Sequence, residues 1–202
     1  MKKFLCHNRL LVRFLSLYAS GIVLFIIVWF LAYQLLPEGV LSGKTLSSRL
    51  AGKGTAGTFM TEFARTFAMN LASSALIVYA NFEARINGYP LGYLIPMLWF
   101  AGYAVDLGTN SFAMPLPDRM APSLAVLNRS GLYELAAYAL LAAATYSLPR
   151  YEMNSLFSLK RKAIPSSERR PLTRGEWIGI SVAIVILALS NFREAYMVIN
   201  HG

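Results

Sequence analysis

The sequence predicts an all-α fold, a polytopic transmembrane helix bundle of about five spans with a cytoplasmic N-terminus and an external C-terminus. Three observations predict it. The 202 residues are 56% apolar and only 14% charged, where a soluble domain carries about a quarter charged residues. The charges lie between long apolar runs and seldom within them. Basic residues are also shared unequally between alternate loops.

A helix crossing the hydrocarbon core needs about 20 mostly apolar residues. The first span is Phe14–Leu36, closed by Pro37 and preceded by Lys2, Lys3, Arg9 and Arg13. A cleaved signal peptide would show the same basic leader. Here the apolar stretch is too long for a signal core, and Gln34-Leu35-Leu36-Pro37 offers no small-x-small cleavage site. The second span, Thr66–Asn81, is short and can extend back through Phe59–Arg65. The third, Leu91–Met114, contains Pro96 and Asp106. The fourth, Gly131–Leu148, is rich in alanine and stops before Pro149. The fifth is Trp177–Ile199. Together they make residues 1–202 a single integral membrane domain. No internal repeat is evident, which speaks against a transporter built from repeated halves.

Orientation follows from the positive-inside rule. With the N-terminus in the cytoplasm, the inner segments hold Lys2, Lys3, Arg9, Arg13, Arg85, Arg150, Lys160, Arg161, Lys162, Arg169, Arg170 and Arg174, twelve in all. The outer segments hold six: Lys44, Arg49, Lys53, Arg65, Arg119 and Arg129. The net charge of +9 therefore reads as orientation and lipid contact, with no nucleic-acid partner. The segment Arg150–Glu176 is expected to be a basic cytoplasmic loop against anionic lipid headgroups, each basic residue contributing about 1 kcal/mol near the surface. Docking of a cytoplasmic partner is the sharper alternative for it.

No metal or cofactor site is expected. Cys6 is the single cysteine, and His7 and His201 stand at opposite ends, so zinc-ligand spacing does not arise. The spans contain no Ser/His pairing and the chain has no Gly-rich phosphate loop. An intramembrane hydrolase using Asp106 and Glu134 has little motif support.

The informative residues are polar ones within the spans, because such groups are costly in hydrocarbon and usually face the bundle interior or a water-filled cavity. They are Asn70, with Ser73 and Ser74 one turn on; Asp106 and Asn110, spaced i,i+4 with Gly102; Glu134; and Asn191, Arg193 and Glu194. The expected topology gathers Asn70, Asp106, Asn110, Glu134, Asn191 and Glu194 toward the outer half. Arg193 is the candidate partner of Asp106 or Glu134. Such a layer either ties helices together or serves function. At and just inside the cytoplasmic start of the fifth span Gly175, Gly179 and Ala183 recur every four residues, a spacing that permits close helix approach. Leu187 interrupts the series, and Ser190 and Glu194 continue the face. Contact within the chain is its simplest use; a homo-oligomer interface is the other.

At these residues the chain resembles the stage II sporulation protein M family of integral membrane proteins. The resemblance lies in Phe67-Ala68-Met69-Asn70, in Asn87-Gly88 followed by Leu91-Gly92, in Gly131-Leu132-Tyr133-Glu134-Leu135-Ala136, and in Glu194-Ala195-Tyr196. It covers about Phe67–Tyr196. Asn128-Arg129-Ser130 stands where the family usually has Pro-His, and Val198-Ile199-Asn200 where it often ends in Thr-Pro. The resemblance implies a non-enzymatic, multi-pass subunit of the cell membrane that scaffolds or positions partner proteins. Other membrane or envelope proteins are the expected partners, a cell-wall hydrolase or an ABC transporter among them. The alternative is a transporter or channel component whose outer-half acids line a polar cavity.

Overall fold

The computed structural model describes residues 2–44, 57–112, 118–123, 130–156 and 160–201. Arg49, Lys53, Met114, Asn128 and Arg129, named above, lie outside the described residues, as do the side chains of Ser130, Asn200 and His201.

A short helix, α1 (Lys2–Leu5), leads into α2 (Leu10–Leu35). Then come α3 (Phe59–Glu83), strands β1 (Ala84–Ile86) and β2 (Tyr89–Pro90), a 3-10 turn (Leu91–Tyr93) and α4 (Leu94–Thr109). After α5 (Ser130–Ala144) follow β3 (Tyr151–Met153), β4 (Lys162–Ala163), a second 3-10 turn (Ser166–Glu168) and α6 (Arg174–His201). The chain is mostly helical, and among the described residues three helical stretches are long and apolar enough to cross a membrane: Leu10–Leu35, Leu91–Thr109 and Arg174–Ile199. The stretch Gly131–Ala144 is apolar but shorter. Helix α3 has the length but carries Glu62, Arg65 and Glu83.

The helix ends have local causes. Helix α6 starts three residues before the predicted span because Thr173 and Glu176 cap it reciprocally. The Glu176 N–H donates to Thr173 Oγ1 at 3.3 Å, and the Thr173 N–H donates to Glu176 Oε2 at 2.9 Å. Helix α4 ends well short of Met114, because Asn110 takes a left-handed conformation at φ 53°. Pro96 does not interrupt it, since it falls in the first turn, where no backbone N–H is needed. Helix α5 ends at Ala144 instead of Leu148, and three side chains take up its last carbonyls. Thr145 Oγ1 donates to Leu141 O at 2.8 Å, Asn81 Nδ2 to Ala142 O at 2.9 Å, and Arg13 Nε to Ala143 O at 3.1 Å.

These contacts also show how the helices run. The start of α2, the end of α3, the end of α5 and the start of α6 share one end of the molecule. At the other end the Gly39 N–H, just past α2, donates to Thr109 O at the end of α4, at 2.6 Å. The five long helices therefore alternate in direction. Their core includes Leu17, Phe25, Trp29, Ile77, Phe100, Leu107, Leu135 and Leu187. Glycine lets α2 and α4 approach closely: a Cβ on Gly21 would lie 2.3 Å from the Phe100 ring. Outward faces of α2, α3 and α6 expose Leu15, Val23, Ile27, Phe30, Leu76, Ile178, Val185, Leu189 and Phe192. Water would not tolerate so large an apolar belt, and lipid does.

Two expectations need correction. The chain is not purely helical: a four-stranded sheet in the order β2-β1-β3-β4 sits at the end shared by Arg13 and Glu176. β1 and β2 form an antiparallel hairpin around Asn87 and Gly88, at φ 50° and 85°, the paired left-handed turn that Asn-Gly favours. β1 pairs in parallel with β3, and β3 antiparallel with β4. The segment Arg150–Glu176 is therefore largely a folded cap and not a plain basic loop. Arg161 pairs with Glu83, Arg170 with Glu176 at 2.7 Å, and Arg169 donates from Nε and Nη2 to Ile164 O. Sequence periodicity did not reveal the strands because they are two or three residues long, and the pairing of β1 with β3 spans more than 60 residues.

Candidate functional site

The polar residues of the spans divide into two groups. The larger lies between α3, α5 and α6, where Asn70 sits at the centre. Its Nδ2 donates to Asn191 Oδ1 at 2.8 Å, and its Oδ1 accepts from the Tyr138 hydroxyl at 2.7 Å. Asn191 is fully enclosed and passes the chain on, its Nδ2 donating to Leu187 O at 2.6 Å. Glu134, one turn before Tyr138, lies beside Asn70 and Glu194. Glu134 Oε1 is buried and has no hydrogen-bond partner.

Sequence reasoning missed three members of this group. Tyr138 is one, although its i+4 spacing from Glu134 signals a shared face. The others are Glu62 and Arg65, in the first two turns of α3. Glu62 is 2% exposed and pairs with Arg65 at 2.6 Å. Both lie near enough to act electrostatically on Glu194. Their i,i+3 spacing of opposite charges was the available signal. Arg193 is exposed, with its guanidinium over the Tyr133 ring, 5.9 Å from the centroid.

The smaller group lies at the end of α4. Asn110 leaves the helical face it was expected to share with Asp106, because its backbone turns left-handed there. Its Nδ2 donates to Glu38 Oε1 at 2.8 Å. Asp106 O accepts the N–H groups of Asn110 and Ser111 at the helix end, while Asp106 Oδ1 is buried without a hydrogen-bond partner. Arg119 spans this end, donating to Tyr33 O at 2.8 Å and Gly108 O at 2.9 Å. Its guanidinium stacks over the Tyr33 ring.

A third polar site, at the sheet end, was not singled out from sequence. Arg13 is 0% exposed and pairs with Glu176 at 2.6 Å. It also donates to His7 O, Asn8 O and Ala143 O and lies over the Tyr146 ring. Arg170 approaches the same carboxylate, and that hydrogen bond raises its own pKa above the ordinary arginine value. The pattern Thr173-x-x-Glu176 ahead of an apolar run was its sequence signal.

The small-residue series of α6 is not uniform. Gly175 is exposed and faces open space. Gly179 packs inside the chain, where a Cβ would meet Leu10 Cδ2 at 2.6 Å and Ala144 Cβ at 3.3 Å. Ala183 and Leu187 are buried on the same face.

Among the described residues, no group of three or more metal-ligating side chains is gathered. Comparison with known proteins returned no matching family model, no matching curated protein and no matching solved structure.

Proposed function

We propose that this protein is a non-enzymatic, five-span subunit of the cell membrane that holds partner proteins in place, in the manner of stage II sporulation protein M-like proteins. In this reading the N-terminus and the sheet cap face the cytoplasm and the C-terminus lies outside. The observation that carries it is the use made of the intramembrane polar groups. Asn70, Tyr138 and Asn191 spend their hydrogen bonds on one another across three helices, which fastens the bundle. Asn70, Glu134 and Glu194, three of the residues that carry the family resemblance, meet in that fastening. Such a bundle presents wide apolar faces, suited to neighbouring membrane proteins.

The test is affinity purification of the full chain from its native membrane in mild detergent, after cross-linking from Ile178 and Val185 on the exposed face of α6. A stoichiometric membrane or envelope protein, such as a cell-wall hydrolase or an ABC-transporter subunit, is expected. Recovery of the chain alone at both positions overturns the proposal.

One observation favours a second reading, a transport or permeation component: Glu134 Oε1 is buried and unpartnered beside Glu194. Cysteine placed at 106, 134 and 194 reports on it. Labelling from the outer side at all three positions supports a polar path, and protection at all three excludes an open outward cavity.

A further inference from the structure

A cavity of about 140 Å³ opens at the sheet end, away from the intramembrane cluster. Its walls include Arg85, Tyr146, Ser147, Glu168, Arg169 and Arg170. Two of these side chains carry polar atoms that are buried yet have no hydrogen-bond partner: Arg85 Nε and Ser147 Oγ. Burying a donor without a partner is costly, so the fold spends stability to keep these two unmet at one hollow. Arg85 is held from its other end, Nη2 donating to Glu152 Oε2 at 3.0 Å. Arg169 is held by Ile164 O through Nε and Nη2, and Arg170 by Glu176. The guanidinium groups are thus fixed in position by other parts of the cap.

The local charge balance selects the ligand. Around the cavity Arg13, Arg85, Arg169 and Arg170 face Glu152, Glu168 and Glu176. The surplus is a single positive charge, and Lys2 adds a second, its Nζ lying beside Gly88 on the same wall. That suits an oxyanion of one or two negative charges. A hollow of this volume matches a single phosphate group in size. Arginine forks and a serine hydroxyl are the usual donors to phosphate oxygens.

We infer that this cavity binds a single phosphate group, through Arg85 Nε and Ser147 Oγ with Arg169 and Arg170 supplying the field. The phosphate can come from a phospholipid headgroup or from free inorganic phosphate. The inference stands apart from the scaffold reading and does not need a protein partner.

The full chain in mild detergent is titrated with sodium phosphate, with short-chain phosphatidylglycerol, and with a glycolipid of equal chain length that lacks phosphate. Binding is read as a saturable thermal shift. Ser147→Ala and Arg85→Lys serve as variants, because the first removes a hydroxyl that bonds nothing and the second keeps the charge facing Glu152. Saturable binding of phosphate or of phosphatidylglycerol is expected, about tenfold weaker in each variant, with the unliganded melting temperature not lowered. A response to inorganic phosphate identifies the free ion as sufficient; a response to phosphatidylglycerol alone identifies the lipid. Absence of saturation with both, an equal response to the glycolipid, or unchanged affinity in both variants overturns the inference.

Discussion

Arg13→Ala removes the most enclosed charge of the sheet end. The side chain is 0% exposed, and four hydrogen bonds reach from it to three other parts of the chain: Glu176 Oε1 at 2.6 Å, His7 O at 2.7 Å, Asn8 O at 3.0 Å and Ala143 O at 3.1 Å. Breaking a buried ion pair from one side costs about 3–5 kcal/mol, because the other charge stays behind in a poor medium. Glu176 keeps Arg170 and Thr173 as partners, so the expected loss is at the low end, about 3 kcal/mol. For a chain of this size that corresponds to about 6–12 °C in melting temperature. The assay is thermal unfolding of the purified chain in one detergent, followed by helical circular dichroism. The double variant Arg13→Met with Glu176→Leu is expected to recover part of the loss, since the one charge it leaves without a partner, Arg170, is 42% exposed and solvated by water. A shift below about 2 °C for Arg13→Ala, or a double variant that loses more than the sum of the two single ones, would refute the reasoning that this pair pins α2 to α6.

Other outcomes follow from the same geometry. In a double-mutant cycle of Asn70→Ala and Asn191→Ala, the coupling energy measured in detergent is expected at about 0.6–1.7 kcal/mol, the range of interhelical polar bonds in membranes; a value of zero would mean that their hydrogen bond does not fasten α3 to α6. Gly92→Ala should cost about 1–3 kcal/mol, because its Cβ would lie 2.5 Å from the Ile77 carbonyl oxygen, whereas Gly175→Ala, in open space within a helix, should raise stability by up to about 1 kcal/mol. Equal melting shifts for the two would contradict the packing described. Burial pushes the Cys6 thiol above its ordinary pKa, so less thiolate is present at any given pH. Alkylation of Cys6 by iodoacetamide at pH 8 should therefore run slower than that of a free thiol and accelerate on raising the pH beyond 9; a rate matching free cysteine at pH 8 counts against it.

Much of the bundle was legible in the residues because membrane helices announce themselves locally. A long apolar run such as Val12–Leu31 has few other uses, and a polar residue within a run marks an inward face wherever it stands. That logic brought out Asn70, Glu134, Asn191 and Glu194, which do meet. It failed for Asn110, where the helix had already ended in a left-handed turn, and for Glu62, Arg65 and Arg13, which looked like loop and leader charges. Arg13 is enclosed beside Glu176 of α6, and Glu62 is enclosed beside Arg65 one turn on.

By itself, then, the amino-acid order determined that this chain builds apolar helices, roughly where they lie, and which of their positions carry costly polar groups. These depend on neighbours a few residues apart, through the helical repeat and the cost of leaving water. Only the tertiary structure decided that residues 84–90, 151–153 and 162–163 join in one sheet, that Arg13 answers Glu176, and that Arg85 and Ser147 share a hollow. Pairings across 60 to 160 residues leave no periodic trace in a sequence. They exist because alternating helices return distant segments to the same end of the bundle, where backbone groups and charges must find partners.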